Sequence, residues 1–158
     1  MKELNVVGKS VLRIDAMEKV IGKAVYCDDI KLPRMLYGKI LRSPHPHARI
    51  MTIDTSKAER VPGVKCVLIG RDVPNRRYGV TVYDQYILAK DVVRFVGEPV
   101  AAVAAESIDA AEEALGLIEV EYEPLAAIFD PEEAMSRNPV VLIHPELPNY
   151  TQAMGEYK

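Results

Sequence analysis

A chain of 158 residues is long enough for one domain with a real hydrophobic core, burying roughly two thirds of the surface its unfolded form exposes, and too short for a second full domain. With 49% hydrophobic residues, 27% charged residues and a net charge of -3, it lacks the basic face that nucleic acid or an anionic membrane would need as main partner; Arg71, Arg76 and Arg77 form only a local cluster. No apolar run is long enough to span a membrane, MKELNVVGKS has no secretory core, and two cysteines, Cys27 and Cys66, supply neither a disulfide framework nor an iron–sulfur or zinc quartet, so the expectation is a cytoplasmic protein with two free, buried thiols.

Residues 1–12 carry little periodicity and are expected to form an arm lying on another surface. In RIDAMEKVIGKAVYCDD (13–29), Asp15 opens a single helical turn that Gly22 breaks, and strand-like residues follow. Pro33 marks a turn. MLYGKILRS (35–43) alternates Leu36, Gly38 and Ile40 against Tyr37, Lys39 and Leu41, which predicts a strand with Gly38 allowing a bend or close approach, ended by Pro44 and Pro46. ARIMTID (48–54) resumes extended structure, after which Thr55 or Ser56 caps a short helix through Glu59 that Pro62 and Gly63 terminate. VKCVLIG (64–70) is apolar on both faces and predicts another core strand. RDVPNRRYGVTVYDQY (71–86), rich in turn formers and aromatics, reads as a long loop, and loops of that length inside a compact domain are usually functional or disordered.

The clearest signal runs from Arg94 to Tyr122. PVAAVAA (99–105) is apolar on both faces and too short for a stable lone helix, so it predicts a strand packed on both sides, with alanines that leave room for a close neighbour. Ser107 then serves as N-cap, Asp109 sits in the first turn, and Ile108, Ala111, Leu115 and Ile118 share one helical face, with Glu112 and Glu113 outward. After Gly116 the period becomes two: Ile118, Val120 and Tyr122 lie on one side, Glu119 and Glu121 on the other, until Pro124. Asp130, Pro131 and Glu133 match the N-cap, N1 and N3 positions of a short helix. Residues 136–158, punctuated by Pro139, Pro145 and Pro148, read as an extended exit segment.

A reaction centre is hard to find. His45, His47, Cys27, Asp28 and Asp29 are the candidate metal ligands, but His-Pro-His spacing indicates no third ligand, and loop histidines are the expected reading. Ser43 beside His45 lacks a GxSxG setting, and a serine before proline more often bonds the next backbone amides. Glu119 and Glu121 lie ~7 Å apart on one strand face, within the range of paired carboxylates, yet alternating glutamates are what a half-exposed strand shows. Neither GxGxxG nor GxxxxGK is present, so no backbone phosphate cradle is expected. No catalytic, cofactor-binding or metal-binding residue is assigned.

Five strings in order, GKAVYCDDI (22–30), LRSPHPHARI (41–50), VPGVKCVLIGRDVP (61–74), FVGEPVAAVAAE (95–106) and IEVEYEPLAAIFDPEEA (118–134), resemble the opening domain of the molybdopterin-binding large subunit of molybdenum hydroxylases, the xanthine dehydrogenase and aldehyde oxidoreductase family. The resemblance implies an α+β fold, the α/β-hammerhead, a mixed sheet with helices packed on one side. It would occupy residues 1–150, with 151–158 an exit segment toward a molybdopterin-binding region that is missing here. It further implies a non-catalytic domain docking on the cofactor domain of the same subunit. Molybdopterin, iron–sulfur and flavin groups would belong to the parent enzyme's other domains or subunits. The parent would hydroxylate an aldehyde or an N-heterocycle. By register with the family, the loop before LAKD (88–91), made of Val80, Thr81, Val82 and Tyr83, borders the channel to molybdenum, where an apolar and aromatic wall suits a planar substrate. The competing expectation is a free-standing interaction module that keeps the fold without activity.

Overall fold

In the computed structural model, residues 6–80, 83–136 and 139–145 are described. The backbone divides into two compact units, Met1–Met35 and Leu36–Lys158.

The first unit contains one helical turn, α1 (Ala16–Val20), at the place the sequence sets it. Asp15 stands at its N-cap but does not cap. Its carboxylate instead takes Arg13 at 2.5 Å and Lys19 at 2.6 Å, and these hydrogen bonds, Arg13's foremost, hold the carboxyl below its ordinary range. Gly22, at φ 71°, turns the chain out of the helix as only glycine does without strain. The strand-like stretch expected next is a 3-10 turn at Cys27–Asp29, because the Asp29 carboxylate accepts from the Tyr26 amide at 2.9 Å and supplies locally the partner a strand would need. No described residue of this unit is buried; Leu12 and Ile14 are almost wholly exposed.

The second unit holds two three-stranded antiparallel sheets and a small hairpin. The strands are β1 (Tyr37–Arg42), β2 (Ala48–Asp54), β3 (Val64–Ile69), β4 (Arg77–Tyr78), β5 (Gln85–Tyr86), β6 (Val92–Val93), β7 (Pro99–Ala105) and β8 (Glu119–Pro124). One sheet runs β1-β7-β3, the other β6-β2-β8, and β4 pairs with β5. The strand, helix, strand unit is present, with α2 (Ile108–Gly116) between β7 and β8, but its two strands belong to different sheets. Ser107 caps α2 through a bond from the Ala110 amide at 3.1 Å.

The core lies where α2 meets the β1-β7-β3 sheet. Ala111 and Ala114 of the helix sit against Ala101, Val103 and Ala105 of β7, with Ala58, Val61, Ile69 and Ile118 closing the cluster. Small residues on both surfaces let helix and strand approach closely, and burying Val103 alone contributes about 2 kcal/mol. The contact centres on alanines rather than on the larger residues of the helix, so Ile108, expected inward, remains 46% exposed. A second cluster, Ala48, Ala89, Val93 and Val100, joins the sheets at the start of β7. VKCVLIG is a strand but an edge strand, covered on its Val67 and Ile69 side and open on its Cys66 and Leu68 side. Both cysteines are accordingly exposed, against the expectation of buried thiols. The helix expected after Thr55 is reduced to a 3-10 turn at Ala58–Arg60. α3 (Pro131–Ala134) is capped as read, by the Asp130 carboxylate accepting from the Glu132 and Glu133 amides.

Candidate functional site

The long segment before β6 is not a plain loop. Arg77–Tyr78 pairs with Gln85–Tyr86, making a hairpin whose two strands flank the predicted channel residues in sequence. Val80 is fully exposed there and Tyr83 is 68% exposed; Thr81 and Val82 lie outside the described residues. Two-residue strands are held less by their ladder than by side chains at the neck. Arg77 Nε donates to the Tyr86 hydroxyl at 2.9 Å, and the guanidinium carbons of Arg77 and Arg94 stand 5.3 and 5.4 Å from the Tyr86 ring centroid. Asp84 also faces His144 at 3.9 Å.

Arg94 ties this neck to the body of the domain. Its side chain donates to the Val92 carbonyl at 3.1 Å and lies 3.7 Å from the Glu98 carboxylate, which also accepts from the Arg94 amide. Glu98 is 4% exposed. Burial pushes its carboxyl up, opposed by the Arg94 amide and guanidinium and, more weakly, by His144 and His47. Beside this group lies a cleft of about 230 Å³ lined by Asn75, Tyr86, Lys90, Asp91, Val92 and Arg94. The sequence reading missed this constellation. The Arg94 and Glu98 spacing inside RFVGE is its one local trace, since Arg77 and Tyr86 join it only through the fold.

The other candidates separate. The Ser43 hydroxyl donates to the His45 carbonyl at 3.1 Å and accepts from the His45 amide at 3.0 Å, a local turn rather than a nucleophile and base. The His45 ring packs 4.9 Å from that of Tyr122, whose phenol is pushed up by burial, while His47 Nδ1 bonds the Ala126 carbonyl at 2.5 Å. Among the described residues no group of three or more His, Cys, Asp or Glu side chains gathers as a metal site. Glu119 pairs with Lys57, Glu121 with the Thr52 hydroxyl at 3.4 Å and Glu123 with Arg49 at 2.6 Å, all exposed, as a half-solvated strand requires. The described residues include no helix long and apolar enough to cross a membrane.

Two three-stranded antiparallel sheets, with α2 packed on one of them and a small anchored hairpin beside them, make this an α+β arrangement. Residues 21–126 match the family model described as aldehyde oxidase and xanthine dehydrogenase, a/b hammerhead domain. The chain belongs to that family. It is 47% identical over 130 residues to a probable xanthine dehydrogenase subunit of Bacillus subtilis, covering 82% of this chain and 17% of that protein. It is 41% identical over 138 residues to the nicotinate dehydrogenase large molybdopterin subunit of Eubacterium barkeri, covering 87% of this chain and 32% of that one. Among solved structures, the reconstituted CO dehydrogenase of Oligotropha carboxidovorans matches with a TM-score of 0.79 at 39% identity, over 89% of this chain and 18% of that chain. The chain thus spans between 17% and 32% of the length of the two curated relatives named here.

Proposed function

We propose that this chain serves as the hammerhead domain of a molybdenum hydroxylase large subunit, docking on the cofactor-binding body and helping to shape substrate access to it. The family match over residues 21–126 carries this reading. In it, molybdopterin belongs to the body on which the domain docks, and iron–sulfur and flavin groups belong to further domains or subunits. The parent enzyme hydroxylates an aldehyde or an N-heterocycle. A cytoplasmic setting is part of the same reading, in keeping with two exposed free thiols.

Within this reading the segment Val80, Thr81, Val82 and Tyr83 walls the substrate path. Val80 and Tyr83 are exposed beside a neck fixed by Arg77, Tyr86 and Arg94, so Tyr83 offers an aromatic ring to a neighbouring body without taking it from the domain's own core. Tyr83→Ala in the assembled enzyme should change the ratio of kcat/KM between an aldehyde and an N-heterocycle by about tenfold, the scale of one lost apolar contact, with little change in the domain's melting temperature. An unaltered ratio across substrates would remove this segment from the substrate path.

A further inference from the structure

The central strand β7 is apolar on both faces, a pattern proper to strands covered on both sides. Among the described residues, only one face is fully covered. Ala101, Val103 and Ala105 look toward α2, and Val100, on the other face, is closed over by Ala48, Ala89 and Val93. Beyond Val100 that second face opens. Two rows cross the sheet there, Ile40 with Ala102 and Leu68, and Gly38 with Ala104 and Cys66. Ile40 is 45% exposed and Leu68 38%, with Leu36 continuing the β1 edge at 45%. Neither row contains a charge. The nearby ions Lys39 and Lys65 are paired within the chain, with Glu112 and Glu106.

The shape of this face is specific. Ala102, Ala104 and Gly38 form a low floor; an added Cβ at Gly38 would meet only the Val103 carbonyl, 4.0 Å away. Leu36 and Ile40 rise on one side and Leu68 on the other. That is a trough between edge strands, and the same strand's opposite face shows what an alanine floor accepts, a helix laid across it by its small residues. We infer that the open face formed by Leu36, Gly38, Ile40, Cys66, Leu68, Ala102 and Ala104 is the seat of an apolar helix from the molybdopterin-binding body of the large subunit. The inference rests on the docking reading above, and the named relatives carry the additional length that such a body requires. An uncharged trough also excludes a strongly acidic or basic segment as occupant.

Cys66 reports on this face directly. The test compares maleimide labelling of the full 158-residue chain carrying Cys27→Ser, which leaves Cys66 as its one thiol, alone and after co-expression with the molybdopterin-binding polypeptide of its own large subunit. Cys66 should label readily alone and at least tenfold more slowly in the complex. The double variant Ile40→Glu and Leu68→Glu should weaken association by roughly a hundredfold, since two charges would enter an apolar contact. Ile108→Glu, equally exposed but on α2, should leave association unchanged and serves as the control. Association with Cys66 still labelling at its free rate, or unaffected by the double variant, would overturn the seat while leaving docking intact. Failure of the unaltered chain to associate at all would overturn docking itself. A stable self-dimer that protects Cys66 and resists the polypeptide would assign the face to a second copy and overturn the inference.

Discussion

Arg94 and Tyr86 meet at the neck of the β4-β5 hairpin, the guanidinium carbon 5.4 Å from the ring centroid, and the same arginine reaches the buried carboxylate of Glu98 at 3.7 Å. Tyr86 is thereby held by two arginines, one of which also donates to its hydroxyl. Tyr86→Leu keeps an apolar body and removes the hydrogen bond and both ring contacts, which together contribute about 1–2 kcal/mol. The loss should be local. Amide exchange should quicken across residues 77–86 while β1, β3 and β7 keep their protection; uniform loss of protection across the domain would show that the neck supports the whole fold.

Glu98 gives the domain a pH dependence of definite sign. Burial raises its carboxyl above the ordinary value of 4.5, so between that value and its higher folded value the native state holds a proton that the unfolded chain has released. This contribution to stability is therefore full below 4.5 and is lost as pH rises through the folded value. Urea midpoints of the natural chain, minus those of Glu98→Gln, should decline across that interval and level off on either side. A flat difference would place Glu98 in an environment no drier than solvent.

Gly70 follows β3 and lies under the Leu88–Ala89 segment. A Cβ there would stand 2.3 Å from the Ala89 carbonyl oxygen, on a stretch of backbone fixed by the bond from the Ala89 amide to the Pro99 carbonyl at 2.7 Å. Gly70→Ala must displace that backbone and should cost about 1–3 kcal/mol, read as a fall of several degrees in Tm. An unchanged melting temperature would mean that the segment shifts freely.

The strand, helix, strand run was legible because each change of element is marked in the sequence: the two-sided apolar run of β7, the Ser107 cap, and the switch to alternating glutamates after Gly116. Asp130 was legible for the same reason, since a cap acts on its own neighbours. What the sequence concealed depends on partners distant in the chain. Nothing in IEVEY says that β8 pairs with β2 rather than beside β7. Nothing in VKCVLIG distinguishes an edge strand with a bare face from a central one, which is why Cys66 was misplaced. Two-residue strands such as β4 and β5 are too short to show a period, so their hairpin read as loop. The channel residues between its strands in sequence came from family resemblance alone, whereas the Arg77, Tyr86, Arg94 and Glu98 constellation required the fold.

The two sheets are strung in a reciprocal way. β7, the middle of one, comes from the later half of the chain and is flanked by β1 and β3 from the earlier half; β2, the middle of the other, comes from the earlier half and is flanked by β6 and β8 from the later. During synthesis the first three long strands therefore emerge with no ladder to join, and neither sheet closes until β7 and β8 have left the ribosome. Such distant pairing slows folding and leaves the nascent strands in need of shelter from other chains. It also means that the finished domain is interlocked like clasped fingers, so that a single backbone cut between β4 and β5 would leave each sheet still bridged by both pieces.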